Sequence, residues 1–341
     1  MARVLVTGAG GYIGTTLVPA LIENGHSVRA IDRFFFGQYL AADNPKLQII
    51  QDDCRKLSVE HFKDIDAVID LVAISNDPSG ELFQKATWEI NHQARVHSAG
   101  LAKQAGCRRY ILPSSCSIYG FQPHDVIVDE KCATNPLTTY AKANEAAEKG
   151  VLPLADEKFC AVVLRQSTVY GYSPRMRFDL AINGMTFGAW KTGKLPLMRD
   201  GSQWRPMVHV KDIASAMNFL LEAPADKISG EIFNIGSETN NYQIGKLGMI
   251  VADCVPRDVD IEWYGDPDHR SYRVAFGKVE ALGYRATRTA EDGVREICTA
   301  LEARLTDKTL RTITLDWYKA IAEWHQITKG VEMYGGMVEL T

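Results

Sequence analysis

An apolar run, Arg3-Val4-Leu5-Val6-Thr7, passes directly into Gly8-Ala9-Gly10-Gly11-Tyr12-Ile13-Gly14 and then into a helical pattern from Thr15 to Glu23. A strand, a glycine turn and a helix in immediate succession leave few folds open. The glycines permit a tight turn and close approach of a phosphate. Free backbone N–H groups and the positive end of the helix then hold the anion without a cationic side chain. Asp32 ends the next apolar run, where a carboxylate can accept hydrogen bonds from both hydroxyls of an adenosine ribose. The combination points to a dinucleotide. A carboxylate there repels a 2′-phosphate, and Arg33 beside it offsets only part of that repulsion, so NAD is expected over NADP. Asp53, followed by Cys54, comes after the third run, within reach of an adenine; taken alone it reads as a loop acid.

The same rhythm continues along the first half. Ser27–Ile31, Leu47–Ile50, Ala67–Leu71, Arg109–Pro113 and Cys160–Arg165 read as strands, with helical patterns between them. Continuous Val, Ile and Leu runs indicate strands buried on both faces. Their alternation with helices predicts an α/β fold, a Rossmann-type doubly wound parallel sheet with the ligand at the strands' carboxyl ends. After about Tyr170 the pattern gives way to Gly, Pro, Arg and Trp-rich segments, then returns to a strand-helix unit at Met207–Glu222 and a strand at Glu231–Ile235. A smaller, interleaved α/β substrate lobe is expected. Residues 1–172, with about 207–236, would form the dinucleotide domain; 173–341 would form the substrate lobe and C-terminal helices. Leu310, Ile313, Trp317, Ile321 and Trp324 fall at helical spacing, and their apolar face packs either on its own chain or on another subunit.

Composition bounds the function. With 341 residues and 46% hydrophobic content the chain can bury a large core, and a formal net charge of −4 offers no general attraction to nucleic acid or an anionic membrane. No leader or membrane-length apolar run is evident, which predicts a cytoplasmic protein. Cys54, Cys107, Cys116, Cys132, Cys160, Cys254 and Cys298 lack paired spacing, and the eight histidines form no ligand set; reduced thiols and no metal are expected.

Further motifs accumulate: Ser114-Ser115-Cys116-Ser117-Ile118-Tyr119-Gly120, then Tyr140 opening a helical run to Glu148, then Arg165–Gly171, Trp204–Asp212 and Phe233–Gly236. With the glycine loop, this set resembles the extended short-chain dehydrogenase/reductases, in their nucleotide-sugar epimerase/dehydratase branch, over nearly the whole chain. The resemblance implies that Tyr140 takes a proton from a sugar hydroxyl while Ser115 holds the same oxygen. It implies that NAD contacts include Gly8, Gly11, Tyr12, Ile13, Gly14, Asp32, Asp53, Cys54, Leu71, Ala73, Ser114 and Tyr140. It also implies that Ser75, Asn76, Ser117, Asn183, Arg205 and Arg270 meet a nucleoside-diphosphate sugar, with Arg175, Arg177 and Arg273 as further candidates, in a homodimer.

The departures from the family pattern carry information. The family places a lysine four residues after the tyrosine, where its ammonium lowers the phenol pKa, ordinarily near 10. This chain has Asn144, which can hydrogen-bond but brings no charge; Lys142 is about 200° around the helix from Tyr140 and cannot substitute. On that reading Asn144→Lys lowers the pKa that governs turnover. Where related sugar 4,6-dehydratases carry an Asp-Glu pair, this chain has Cys116-Ser117, so elimination lacks its acid and base. Asp70 stands where many relatives have histidine. The expected activity is NAD-dependent oxidation and reduction at a ring hydroxyl of the sugar, at C4, as an epimerase. A dehydrogenase or ketoreductase, or a cofactor-binding protein with little turnover, stands as the alternative.

Overall fold

The computed structural model describes residues 1–122, 126–266 and 271–331. The first half runs β1 (Arg3–Thr7), α1 (Gly14–Glu23), β2 (Ser27–Asp32), β3 (Leu47–Gln51), β4 (Ala67–Asp70), α2 (Asp77–Leu82), α3 (Gln84–Trp88), α4 (Arg95–Gln104), β5 (Arg109–Ser115), β6 (Ile127–Val128), α5 (Thr139–Val151), β7 (Cys160–Gln166) and β8 (Thr168–Tyr170). The remainder runs α6 (Ala181–Thr192), β9 (Lys194–Met198), β10 (Trp204–His209), α7 (Val210–Glu222), α8 (Ala225–Ile228), β11 (Ile232–Ile235), β12 (Asn241–Gln243), α9 (Ile244–Cys254), β13 (Asp260–Tyr264), β14 (Arg273–Val274), α10 (Gly277–Ala281), α11 (Ala290–Glu302) and α12 (Thr314–Val331).

Seven strands form one sheet in the order β3-β2-β1-β4-β5-β7-β11, each paired in parallel with its neighbour. Two-residue alternation divides its side chains between two cores. Val4, Val6, Val28, Ala30, Ile69 and Ile111 meet Leu17, Val18 and Leu21 of α1 and Ile213, Met217 and Leu220 of α7 on one face. Leu5, Ile31, Val68, Tyr110 and Leu112 meet Ala99 and Ala102 of α4 and Ala147 and Val151 of α5 on the other. Burying a Leu side chain on either face stabilises the fold by about 2 kcal/mol. The predicted doubly wound sheet is therefore present, with the expected strands correct to within two residues at their ends.

The connection order reverses between β1 and β4, opening a crevice at their carboxyl ends. Past that edge a third cluster joins Tyr170, Ile182, Leu195, Leu197, Leu247, Val251, Val294 and Cys298, drawn from β8, β9, α6, α9 and α11. Helix α12 returns to the first half, where Trp317 is buried and its indole N–H donates to the Phe35 carbonyl at 2.6 Å. The C-terminal apolar stripe thus packs in part on its own chain, while Trp324, edge-on to Trp317 at 5.3 Å, stays half exposed.

Candidate cofactor and substrate site

The glycine loop is held in a form that side chains would disrupt. Gly8 sits at φ +67°, and a Cβ there would lie 2.7 Å from the Leu71 carbonyl carbon and the Val72 nitrogen. A Cβ on Gly14 would lie 2.5 Å from the Ala9 carbonyl oxygen. The loop is therefore pressed between β4 and the start of α1, whose Thr15, Thr16 and Leu17 N–H groups bond back to the Gly11 and Ile13 carbonyls, and Gly11, Ile13 and Gly14 line the crevice.

Asp32 closes the loop from the β2 side, accepting from the Gly10 N–H at 3.0 Å and the Phe34 N–H at 2.6 Å. Burial raises its carboxyl pKa, and those two N–H donors oppose the rise. Asp53 is tied by Arg55 at 2.6 Å and Arg33 at 2.8 Å, and the Arg55 guanidinium foremost holds its carboxyl far below the usual range. Arg33 is thus engaged by Asp53 and lies over the Phe35 ring at 4.6 Å. Asp32, held by these backbone donors, lines the crevice with no ion pair to Arg33 among the described contacts.

A cavity of about 670 Å³ extends from this loop toward β5, α5 and β10. Gly8, Gly11, Tyr12, Ile13, Gly14, Asp32, Asp53, Cys54, Leu71, Ala73 and Tyr140 all line it, as expected of cofactor contacts, together with Ser75, Asn76, Ser115, Ser117, Asn144 and Arg205. Asn76 adopts φ 82°, a strained value for a residue other than glycine, with its amide donating to Asp179 at 2.9 Å and its oxygen capping α2 through the Ser79 N–H.

Two expected residues lie elsewhere. Ser114 is buried in β5 and does not reach the cavity, because alternation turns Ser114 and Ser115 to opposite faces. Asn183 is wholly buried behind the wall: its amide donates to the Tyr12 hydroxyl at 3.0 Å and the Arg177 carbonyl at 2.9 Å, and it accepts from the Gly171 N–H at 2.9 Å. It braces Tyr12 of the glycine loop from behind the cavity wall. Arg270 lies outside the described residues.

Tyr140 is set by the way α2 grips the start of α5. Thr138 caps α5 by accepting from the Ala141 N–H and donates to Asp77 at 2.7 Å, while the Thr139 N–H donates to Glu81 at 2.6 Å. Gly80 lets the helices touch, since a Cβ there would lie 3.0 Å from that of Tyr140. Burial raises the phenol pKa, and Asp77 adds to the rise; a hydrogen bond from Ser115 and the charges of Arg95 and Arg177 pull it down. The Ser115 oxygen is itself fixed by accepting from the Ser117 N–H at 3.1 Å. Cys116 points away, buried, its thiol donating to the Arg165 carbonyl at 3.2 Å and pushed upward in pKa by burial.

Asn144 faces the cavity wall with an unforeseen partner. Its amide donates to the Tyr140 carbonyl at 2.9 Å and its oxygen accepts from the Arg95 guanidinium at 3.0 Å. Arg95 is 1% exposed and also lines the cavity. A π-helical turn, Glu89–Ala94, precedes it, in which Asn91 clamps the Ile74 backbone through bonds of 2.8 and 3.0 Å. Arg95, Ser98, Ala99 and Ala102 fall at helical spacing and are all buried, and that periodicity was the available signal that Arg95 points inward.

Three further arginines line the cavity. Arg177 pairs with Asp179 at 2.8 Å and donates to Ser75 at 3.0 Å. Arg205 lies over the Tyr272 ring at 5.7 Å and lines the cavity with Ser117 and Tyr140. Arg175 stacks on Phe36 at 3.6 Å, 3% exposed, with its Nε lacking a hydrogen-bond partner, and burial lowers its pKa to about 10. A glycine cradle, an acid at the end of β2 and a buried guanidinium in the cavity wall fit a dinucleotide.

Comparison with known proteins agrees with this geometry. The model of the NAD dependent epimerase/dehydratase family matches residues 4–236. A putative UDP-glucose 4-epimerase of Methanocaldococcus jannaschii is 26% identical over 311 residues, covering 86% of this chain and 96% of that one. The structure of MoeE5 in complex with UDP-glucuronic acid and NAD superposes with a TM-score of 0.78 at 27% identity, covering 89% of this chain and 99% of the other. The UDP-glucuronic acid 4-epimerase of Bacillus cereus shares the fold, with a TM-score of 0.78 at 23% identity over 89% of this chain and 99% of its own.

Proposed function

The chain belongs to the NAD-dependent epimerase/dehydratase family, and from that premise we propose that it epimerises a nucleoside-diphosphate sugar at the C4 hydroxyl. The observation that carries this reading is the presence of the Ser115 and Tyr140 hydroxyls in the same cavity as the glycine loop and Asp32. The relatives named above act on or bind UDP-sugars, which makes a UDP-hexose or its uronic acid the substrate class of choice.

Tyr140 accepts the hydroxyl proton of the sugar and later returns it, while Ser115 fixes the oxygen and shares the charge. When bound, NAD supplies the acceptor and donor of hydride at the sugar carbon. Gly11, Ile13 and Gly14 of the loop, with Arg175, would hold its pyrophosphate, Asp32 its adenosine ribose, and Arg205 the pyrophosphate of the sugar nucleotide. Cys116-Ser117 provides no carboxylate pair for elimination, so the oxidised sugar is reduced again.

A cofactor held under α12 would favour an epimerase over a dehydrogenase. Tyr318, Ile321, Ala322 and His325 of α12 line the cavity, and Phe36 is clamped between the Tyr318 ring at 5.4 Å and Arg175. This cover opposes exchange at each turnover. Free thiols at all seven cysteines suit a cytosolic setting, and the exposed Leu82 and Trp88 on neighbouring helices suit a homodimer contact. Among the described residues no helix is long and apolar enough to cross a membrane.

The test is incubation of the purified protein, with its co-purified NAD, with UDP-glucose, UDP-glucuronic acid and UDP-N-acetylglucosamine, read by proton NMR. Appearance of a C4 epimer with no net reduced nicotinamide supports the reading. Stoichiometric reduced nicotinamide indicates a dehydrogenase, and tight NAD binding without turnover of any sugar indicates a binding protein.

A further inference from the structure

A tyrosine base in a buried site needs a fixed positive charge, and helix α5 supplies none: Asn144 is neutral and Lys142 points to solvent beside Glu81. The charge comes from the neighbouring helix. Resting on the assignment of Tyr140 as the base, we propose that the Arg95 guanidinium is the positioning residue and standing cation for the Tyr140 phenol: it lines the same cavity and is tied through Asn144 to the Tyr140 backbone.

The geometry is specific. The Arg95 side chain enters from the start of α4, donates one N–H to Asn144 at 3.0 Å, and spends its other terminal nitrogen on the Asp70 carbonyl at 2.9 Å and the Pro113 carbonyl. Asn144 then donates to the carbonyl of Tyr140 itself at 2.9 Å. Arg95 therefore ties β4, β5 and α5 together at the point where the cavity meets the base.

Asp70 is the counter-charge that lets the guanidinium be buried. Its oxygens accept from the hydroxyls of Thr7 and Tyr110, and its nearest approach to Arg95 is 3.8 Å, to Nε. The ion pair offsets part of the guanidinium's field, and what is left acts on the cavity that Arg95 and Tyr140 both line. Asp70, Arg95 and Asn144 thus form one connected device, and two separate departures from the family pattern have one physical cause. Other groups act on the same phenol: Asp77 from α2, Arg177 with Asp179 from the segment before α6, Ser115 from β5 and Tyr272.

The test moves the cation from α4 to α5. The Tyr140 phenolate is titrated by ultraviolet difference absorbance in the protein freed of nucleotide, subtracting the matching Tyr140→Phe variant. Arg95→Met is expected to raise the midpoint by one pH unit or more, tenfold in proton affinity. Arg95→Met with Asn144→Lys is expected to return it to within half a unit of the parent, and the pH at which kcat rises should move in the same sense. A folded Arg95→Met with an unmoved midpoint overturns the proposal. So does a double variant that fails to fold or that keeps a raised midpoint, which decides the matter if the single variant does not fold. Because phenol titration needs no turnover, these outcomes are separate from failure of the epimerase reading, which NMR of the products reports.

Discussion

The Arg95 guanidinium donates to the Asn144 side-chain oxygen across a 3.0 Å contact in the wall of the cavity, both residues only 1% exposed. A lysine at 144 would drive an ammonium against that guanidinium. From the sequence, Asn144→Lys reads as a gain of charge near the base; the structure makes it a buried like-charge pair. The expected outcome is destabilisation by about 2–4 kcal/mol, the scale of an uncompensated buried charge. Chemical denaturation of the two proteins checks it. Adding Arg95→Met should recover most of that loss.

Tyr140→Phe removes the proton acceptor while leaving the glycine loop and Asp32 intact. Turnover should fall by about 10²–10⁴-fold, the range for general acid–base groups, with NAD affinity unchanged. Ser115→Ala should cost about 10–100-fold, since it removes one hydrogen bond to a charged oxygen. Steady-state kinetics beside equilibrium NAD titration separates the two effects.

Arg175 lines the cavity while stacking on Phe36 and donating to the Thr314 hydroxyl at 3.2 Å. Arg175→Gln should weaken NAD binding by about 10–100-fold, consistent with losing charge-assisted hydrogen bonds. Isothermal titration of the nucleotide-free protein measures this. Sugar-nucleotide affinity, assigned to Arg205, should change far less.

Glu296 fastens α11 to the wall behind Tyr12, bonding His209 at 2.9 Å, Lys211 and the Tyr172 N–H at 3.3 Å. Burial would raise its carboxyl pKa, but the His209 and Lys211 contacts outweigh burial and bring it from 4.5 to about 2. A folded pKa below the unfolded one means the stabilisation is complete above about pH 5 and is lost as pH falls toward 2. Glu296→Gln should flatten that acid limb, read as unfolding free energy against pH between 5 and 2.

What was legible in the sequence followed from short-range periodicity. The β1-glycine-α1 unit, Asp32 and the two core faces are local patterns, so their positions could be read from spacing alone. Tyr140 and Ser115 were reached through motifs. Asn183 was misplaced because its role depends on Tyr12, 171 residues away in sequence, and no local pattern encodes that contact. Arg95 was missed for a related reason: a charged residue on a helix normally faces solvent. The Asn144 oxygen, the carbonyls of Asp70 and Pro113 and the Asp70 carboxylate make its burial tolerable.

The most direct test of the central claim uses a nucleotide sugar deuterated at C4, incubated with the protein carrying its own bound NAD and followed by NMR. The account predicts a C4 epimer that retains the deuterium, with loss of that conversion in Tyr140→Phe. Unchanged C4 configuration across UDP-sugars, or an epimer whose C4 position carries solvent hydrogen, would contradict it.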